Sequence, residues 1–268
     1  MAIGGEPLLL VGAGKMGGAL LQAWLERGLD PRQTFVLEPQ PSPQIKALSS
    51  VYGVSLRAPA APPAVIVLAV KPQALDESMP ALAPLAGDTT LVISILAGKT
   101  LAGLSQHLRC AVVRAMPNLA VAVGQGMSAA VANAKVTPAQ KQTADALLSA
   151  VGGVEWLSDE SLIDAVTAVS GSGPAYVFYL AECLAKAGVE AGLPRDLAMR
   201  LARATVEGAG ALLAHQPEIS PAELRESITS PGGTTAAALA VLKGESGFER
   251  LIANAVAAAK RRAQELAS

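Results

Sequence analysis

The stretch that decides the fold is LLLVGAGKMGGALLQAWLERG, residues 8 to 28. Its opening aliphatic run reads as a short buried strand, and the segment from Lys15 to Gly28 carries apolar residues at helical spacing. Between them Gly12, Gly14 and Gly17 stand in the G-x-G-x-x-G spacing, directly after the strand and at the opening of the helix. Each glycine has its own task. Gly12 permits the tight turn, Gly14 keeps a side chain away from where a pyrophosphate approaches the backbone, and Gly17 lets the helix lie close to the strand. Unpaired N–H groups at the helix start meet the phosphate charge. A glycine-rich turn without a ligand remains the alternative on this motif alone.

Working outward, short β-type runs alternate with helical segments up to about residue 157. The runs fall at 8–11, 34–37, 64–70, 90–96, 110–117 and 126–132, and helices are expected over 15–28, 73–86, 100–108 and 138–151. The alternation predicts a parallel sheet covered by helices, a Rossmann-type dinucleotide-binding α/β domain over residues 1–160. Past VGGVEWLSDE (151–160) the β-type runs stop. Residues 161–268 predict an all-helical substrate and dimerisation domain, with helices over 161–170, 174–191, 194–214, 220–228, 234–243 and 246–267. The boundary near 158–162 is a change of pattern, without a low-complexity spacer.

Hydrophobic residues make up 51% of the 268 and aromatics only 3%, so the core is expected to consist of alanine and aliphatic side chains in closely packed helices that seek partners. A formal charge of -1 offers no basic field for nucleic acid. Cys110 and Cys183 are too few for a disulfide framework or a zinc site, which fits a reducing, cytoplasmic setting. The start, MAIGGEPLLLVGAGKMGG, lacks a basic leader region and carries Glu6 before its apolar run, so neither a signal peptide nor a membrane span is expected.

Glu38 closes the second strand-like run about twenty residues after the glycine motif, where a carboxylate accepts hydrogen bonds from a ribose 2′-hydroxyl and repels a 2′-phosphate, favouring NAD over NADP. The competing reading is a solvated strand-end carboxylate at the edge of the proline-rich loop EPQPSPQ. Ligands of open parallel sheets sit at the carboxyl ends of the strands, which directs attention to AVKPQ (69–73) and ILAG (95–98) as the resting place of a nicotinamide ribose.

In the second half, ITSPGGTTAAALAVLKG (228–244) sets Ser230, Pro231, Gly232, Gly233, Thr234 and Thr235 before a new helix. Unhindered N–H donors and two hydroxyls at the positive end of a helix make a cradle for a small carboxylate; ordinary capping is the alternative. The break VSGSGPAYVFYL (169–180) reads as helix punctuation around Gly171, Gly173 and Pro174. His107 and His215 lie outside every motif, and neither a catalytic triad nor a metal-ligand cluster is suggested. A hydride acceptor in this chain must therefore need little acid help, as a protonated imine would.

Taken together, VGAGKMGGAL (11–20), LAVKPQ (68–73), ISILAGKT (93–100), RAMPN (114–118), AVSGSGPAYVFYLAECLAKAGVEAGLP (168–194) and ITSPGGTTAAALAVL (228–242) resemble the pyrroline-5-carboxylate reductases, almost end to end. The resemblance implies reduction of 1-pyrroline-5-carboxylate to L-proline by hydride from NADH or NADPH, the last step of proline biosynthesis. It also implies that Val11, Gly12, Ala13, Gly14, Lys15, Met16, Ala69, Val70, Lys71, Pro72, Ile95, Leu96 and Ala97 line the cofactor. Ser230, Gly233, Thr234 and Thr235 would hold the substrate carboxylate and imine, with the Thr235 hydroxyl near the ring nitrogen as the catalytic candidate. Relatives that prefer NADPH carry a Ser/Asn-Arg type loop where this chain has LEPQPS, which puts that preference in doubt. The resemblance further implies a homodimer at least, with interleaved helices completing each site and rings of dimers in some members. The β-hydroxyacid dehydrogenases join similar domains, but Lys186 comes too late after SGSGP for their Lys-Asn spacing. A dinucleotide-retaining redox sensor is the remaining alternative.

Overall fold

The computed structural model of the chain describes residues 6–267; the first five residues, part of the stretch weighed as a leader, lie outside them, as does Ser268. Its contacts divide it into one unit comprising residues 1–171 and 259–268, and a second comprising residues 172–258.

The first unit is built on a seven-stranded sheet. Along the chain it runs β1 (Leu8–Val11), α1 (Lys15–Glu26), β2 (Thr34–Leu37), α2 (Pro43–Tyr52), β3 (Val65–Leu68), α3 (Leu75–Leu82), β4 (Leu91–Ser94), α4 (Leu101–His107), β5 (Ala111–Met116), β6 (Gly126–Ala132), α5 (Pro138–Ser149), β7 (Gly152–Trp156) and α6 (Ile163–Val166). A π-helical turn, Thr167–Gly171, ends it. The strands lie in the order β2-β1-β3-β4-β5-β6-β7, so the winding reverses beside β1. This is the expected α/β sheet, with one departure: β5 and β6 pair antiparallel. Only residues 117–125 separate them, and a parallel crossover needs a dozen residues or more. A 3₁₀ turn at Leu119–Val123 and left-handed Gly124 reverse the chain instead.

Burial on both sheet faces explains the aliphatic runs. Leu8, Leu10, Val65, Val67, Ile93 and Val113 pack on one face with Leu20, Leu21 and Trp24 of α1. On the other, Leu9, Val11, Ile66, Leu68, Val92 and Val112 pack with α3 and α4. Trp24 is 1% exposed, and its indole N–H donates to the carbonyl of Leu147 on α5 at 2.7 Å, satisfying the ring's polar atom within the core.

Two elements escaped the pattern reading. Helix α2 begins inside the segment read as a proline-rich loop: Ser42 Oγ accepts the Ile45 N–H at 3.3 Å, Pro43 occupies the first turn, and Gly53 ends it at φ +83°. Strand β7 opens on two glycines and alternates half-buried with exposed residues, so it has no apolar run to announce it. The change in composition at 160 precedes the end of the compact unit at Gly171, because Ile163 of α6 packs with Ala129 and Val131 of β6.

The second unit contains α7 (Gly173–Glu190), α8 (Arg195–His215), α9 (Pro221–Ser227), α10 (Thr234–Leu242) and the first part of α11 (Phe248–Ala267). Helices α7 and α8 pack closely through small residues: a Cβ on Gly188 would lie 3.2 Å from Ala198 Cβ. Ala185, Ala198 and Ala202 are buried, whereas Phe178, Tyr179, Leu242, Phe248 and Leu251 are exposed. Among the described residues no helix is long and apolar enough to cross a membrane.

Candidate active site

Three loops leave neighbouring strands at the carboxyl edge of the sheet, and the ladder continues into them. The N–H of Ala69 donates to the Val11 carbonyl at 2.8 Å, and that of Ile95 to the Leu68 carbonyl at 3.0 Å. Gly12, on the other side, donates to Leu37 at 2.8 Å. Residues 11–16, 69–72 and 95–97 are thus brought side by side where the strand order reverses, the position at which open α/β sheets bind ligands.

The glycines divide their work as the spacing requires. Gly12 has φ +86°, and a Cβ there would meet Val70 N at 2.7 Å and the Ala69 carbonyl carbon at 2.8 Å. At Gly17 a Cβ would collide with the Gly12 carbonyl oxygen, so α1 approaches β1 as closely as backbone allows. Gly14 differs, because a Cβ there would meet nothing within 4 Å. The space in front of it is open, and α1 begins without a side-chain cap, leaving first-turn N–H groups for a phosphate. Val11 and Ala13 are buried, Met16 is half-buried and Lys15 is exposed. Ala69, Val70, Pro72, Ile95 and Ala97 are half-buried, Leu96 is buried and Lys71 is exposed. These residues fit a dinucleotide.

Glu38 is half-buried and belongs to the same constellation. Its Oε2 accepts the Ala13 N–H at 2.9 Å and its Oε1 accepts the Gln40 N–H at 3.1 Å. The carboxylate therefore stands against the glycine loop rather than free in solvent.

In the second unit, the turn before α10 is closed by the Gly233 N–H donating to the Ser230 carbonyl at 3.1 Å, with Gly232 at φ +70°. Elsewhere the chain caps helices with hydroxyls: Ser42, Thr100, Thr137 and Ser220 each accept a first-turn N–H. Here three hydroxyl residues are at hand, yet α10 opens on Gly233 with no side-chain cap. Ser230 and Thr234 are exposed, while Gly233 and Thr235 are half-buried. A Cβ on Gly233 would lie 2.5 Å from Ser230 Oγ, so glycine keeps that hydroxyl in place. The result is a set of N–H and O–H donors at the positive end of a helix, suited to a carboxylate.

Over 265 residues the chain is 43% identical to a pyrroline-5-carboxylate reductase of Pseudomonas aeruginosa, with 97% of this chain and 96% of that one covered. The chain belongs to the pyrroline-5-carboxylate reductase family. Another member, from Synechocystis, is 45% identical over 268 residues, covering 96% and 97% of the two chains. The solved pyrroline-5-carboxylate reductase of Coxiella burnetii superposes with a TM-score of 0.90 at 34% identity, covering 99% of this chain and 100% of that one. That of Plasmodium falciparum, solved with NADP bound, gives 0.83 at 28% identity over 98% and 99%. Residues 160–266 match the family model for pyrroline-5-carboxylate reductase dimerisation, and residues 8–98 match one described as NADP oxidoreductase coenzyme F420-dependent.

Sequence reasoning gave no role to Asn118 or Ser170. Asn118, in RAMPN, organises the β5–β6 reversal: its Oδ1 accepts N–H bonds from Ala120 and Met127, both at 3.2 Å, and its Nδ2 donates to Ser170 Oγ at 3.3 Å. Ser170 sits in the π-helical turn, a rare conformation that often marks functional positions. Gly171, read as punctuation, also serves packing, since a Cβ there would lie 2.8 Å from Met116 Cε. An Asn shortly after a strand-ending Pro was the only signal available for this arrangement.

Proposed function

We propose that the chain reduces 1-pyrroline-5-carboxylate to L-proline with NADH or NADPH. It is an NAD(P)H-dependent oxidoreductase acting on a C=N bond. Residues 11–16, 69–72 and 95–97 hold the dinucleotide, with the Gly14 space and the α1 N–H groups taking the pyrophosphate. When bound, the reduced nicotinamide supplies a hydride to the imine carbon. Ser230 and Thr234, with the turn that Gly233 closes, hold the substrate carboxylate, and the Thr235 hydroxyl hydrogen-bonds at the ring nitrogen. An imine already protonated at nitrogen takes up hydride at carbon without a general acid, so a hydroxyl that positions the ring suffices.

The observation that carries this reading is the uncapped helix start at Gly233 in a chain related along its whole length to enzymes of that name. The Glu38 carboxylate beside the glycine loop shifts the balance toward NADH, because a 2′-phosphate there would meet its charge. The chain works in the cytoplasm as a homodimer at least. In support of a second copy, the helical unit has an apolar groove of about 680 Å³ lined by Tyr179, Leu180, Cys183, Leu242, Phe248 and Leu251.

The test is oxidation of NADH and of NADPH, followed at 340 nm (about the nicotinamide absorbance maximum) with pyrroline-5-carboxylate as acceptor. A 2-hydroxy acid with the oxidised cofactors serves as control. Turnover of the pyrroline alone is expected, and cofactor binding without turnover would refute the reading.

A further inference from the structure

An ion pair between buried Arg114 and half-buried Glu160 lies behind the third cofactor loop. Arg114, on β5, is 4% exposed and donates from Nη1 to Glu160 Oε1 at 2.7 Å. The same Oε1 accepts the backbone N–H of Leu101, the first residue of α4, at 2.8 Å. Glu160 is held in turn by the 3₁₀ turn it begins, where Asp159 accepts the N–H and hydroxyl of Ser161 at 2.8 and 2.6 Å. A carboxylate remote in sequence from α4 thus fixes where that helix starts.

The loop that carries Ile95, Leu96 and Ala97 is pinned at both ends. At its beginning, Ile95 N–H donates to Leu68, and Leu96 N–H donates to Ser94 Oγ at 3.4 Å. Ser94 is the register partner of Arg114 on the adjacent strand. At its end stand Thr100, which caps α4 through the Gly103 N–H at 3.1 Å, and the Leu101 N–H bound to Glu160. The Leu101 side chain packs against both the α3–α4 cluster and the β6–α6 cluster. Without Glu160, the Leu101 N–H has no intrahelical acceptor, and Arg114 is a buried charge without its counterion.

From this geometry we infer that Glu160, through the oxygen that accepts the Leu101 N–H, is a positioning residue for the 95–100 loop and so for the nicotinamide half of the dinucleotide. The inference rests on the cofactor placement proposed above. Its effect falls on one half of the ligand, because the glycine loop and Glu38 are anchored separately, on β1 and β2.

Two double variants test it without stranding a charge. Arg114→Met with Glu160→Gln keeps an oxygen acceptor for the Leu101 N–H, whereas Arg114→Met with Glu160→Leu removes it. Binding of NADH and of ADP-ribose, which lacks the nicotinamide, is measured for each. The Gln variant is expected to keep both dissociation constants within about twofold of the parent. The Leu variant is expected to weaken NADH about tenfold with ADP-ribose within about twofold. Equal loss of both ligands, unchanged NADH affinity in the Leu variant, or loss of NADH in the Gln variant would each overturn the inference. Should the Leu variant not fold, Leu101→Pro deletes the donor itself; proline suits the first helical position, and Thr100 at ψ +159° already has the conformation a following proline requires. The same selective loss of NADH is expected there, and unchanged NADH affinity would count against the role. A parent protein that binds neither ligand would instead refute the cofactor placement.

Discussion

Replacing the motif glycines one at a time by alanine separates folding from ligand binding. At Gly12, φ +86° costs an L-residue about 1–2 kcal/mol. The new methyl would also press on the 69–70 peptide at 2.7–2.8 Å, an overpacking worth about 1–3 kcal/mol. Together these give about 2–5 kcal/mol, or a fall of about 5–15 °C in the unfolding midpoint for a chain of this size. Gly14→Ala behaves differently. Its methyl enters open space at φ -68°, ψ -159°, which alanine adopts readily. The gain from a stiffer unfolded chain, about 0.4–1 kcal/mol, roughly offsets the poorer helix cap. The midpoint should therefore stay within about 3 °C of the parent. Dinucleotide binding is where Gly14→Ala fails, because the methyl stands where the proposed cofactor placement puts the pyrophosphate; a tenfold or greater rise in Kd, about 1.4 kcal/mol, is expected. At one hundred times the parent Kd, NADH should stabilise the parent by about 2.7 kcal/mol, and at least about half of that shift should vanish in Gly14→Ala. Scanning calorimetry with and without NADH, alongside fluorescence titration, measures both quantities. A Gly14→Ala protein as unstable as Gly12→Ala, or one with parental NADH affinity, would refute this assignment of roles.

Thr235→Ala should lower kcat/KM for the pyrroline about tenfold or more while NADH affinity stays near the parent's; parental kcat/KM would remove the hydroxyl from the reaction. Glu38→Gln keeps an acceptor for the Ala13 N–H but removes the charge, and Glu38→Ser removes both; each should raise the NADPH-to-NADH ratio of kcat/KM about tenfold, and an unaltered ratio would count against the ribose role. Leu251→Glu places a charge in the apolar groove, so light scattering should find monomer where the parent is a dimer, with helical circular dichroism retained. Burial pushes the Cys110 thiol up, so a thiol reagent at neutral pH should leave Cys110 unmodified until the protein unfolds; Cys183, in the groove, should react faster in Leu251→Glu than in the dimer. Hydrogen bonds from Ser220 hold the Glu223 carboxyl below its ordinary value, so this cap contributes stability above the unfolded pKa and loses it as pH falls through the folded one. Ser220→Ala should raise the Glu223 titration midpoint, followed by carboxyl NMR, part of the way toward the ordinary range, because the backbone N–H of residue 220 still donates to it.

Much of this architecture was legible because the chemistry was local. The strand, the glycines and α1 are contiguous, and the aliphatic runs of β1, β3 and β4 marked strands buried on both faces. The turn from Ser230 to Thr235 stood out because it held more small and hydroxyl residues than a cap uses. Helix α2 was hidden by prolines, although Ser42 before Pro43 and Gly53 after the helix were its proper start and stop. The antiparallel β5–β6 pair could have been read from the short connector alone. Arg114 and Glu160 could not, since a charged residue in a strand and another in a loop reveal a partnership only once the sheet places them together. The family resemblance supplied the substrate, which the turn by itself identified only as a small acid.

The α7–α8 pair has a further consequence for how the chain comes to be folded. Alanine against alanine lets two backbones approach closely but removes little apolar area from water, so this pair alone contributes weakly to the free energy of its unit. With Phe248 and Leu251 exposed in a single chain, the dimer proposed above makes the order of these helices obey mass action. Dilution would then loosen the helical half before the sheet half, and the supply of newly made chains would set how much of the protein holds its substrate turn in working form.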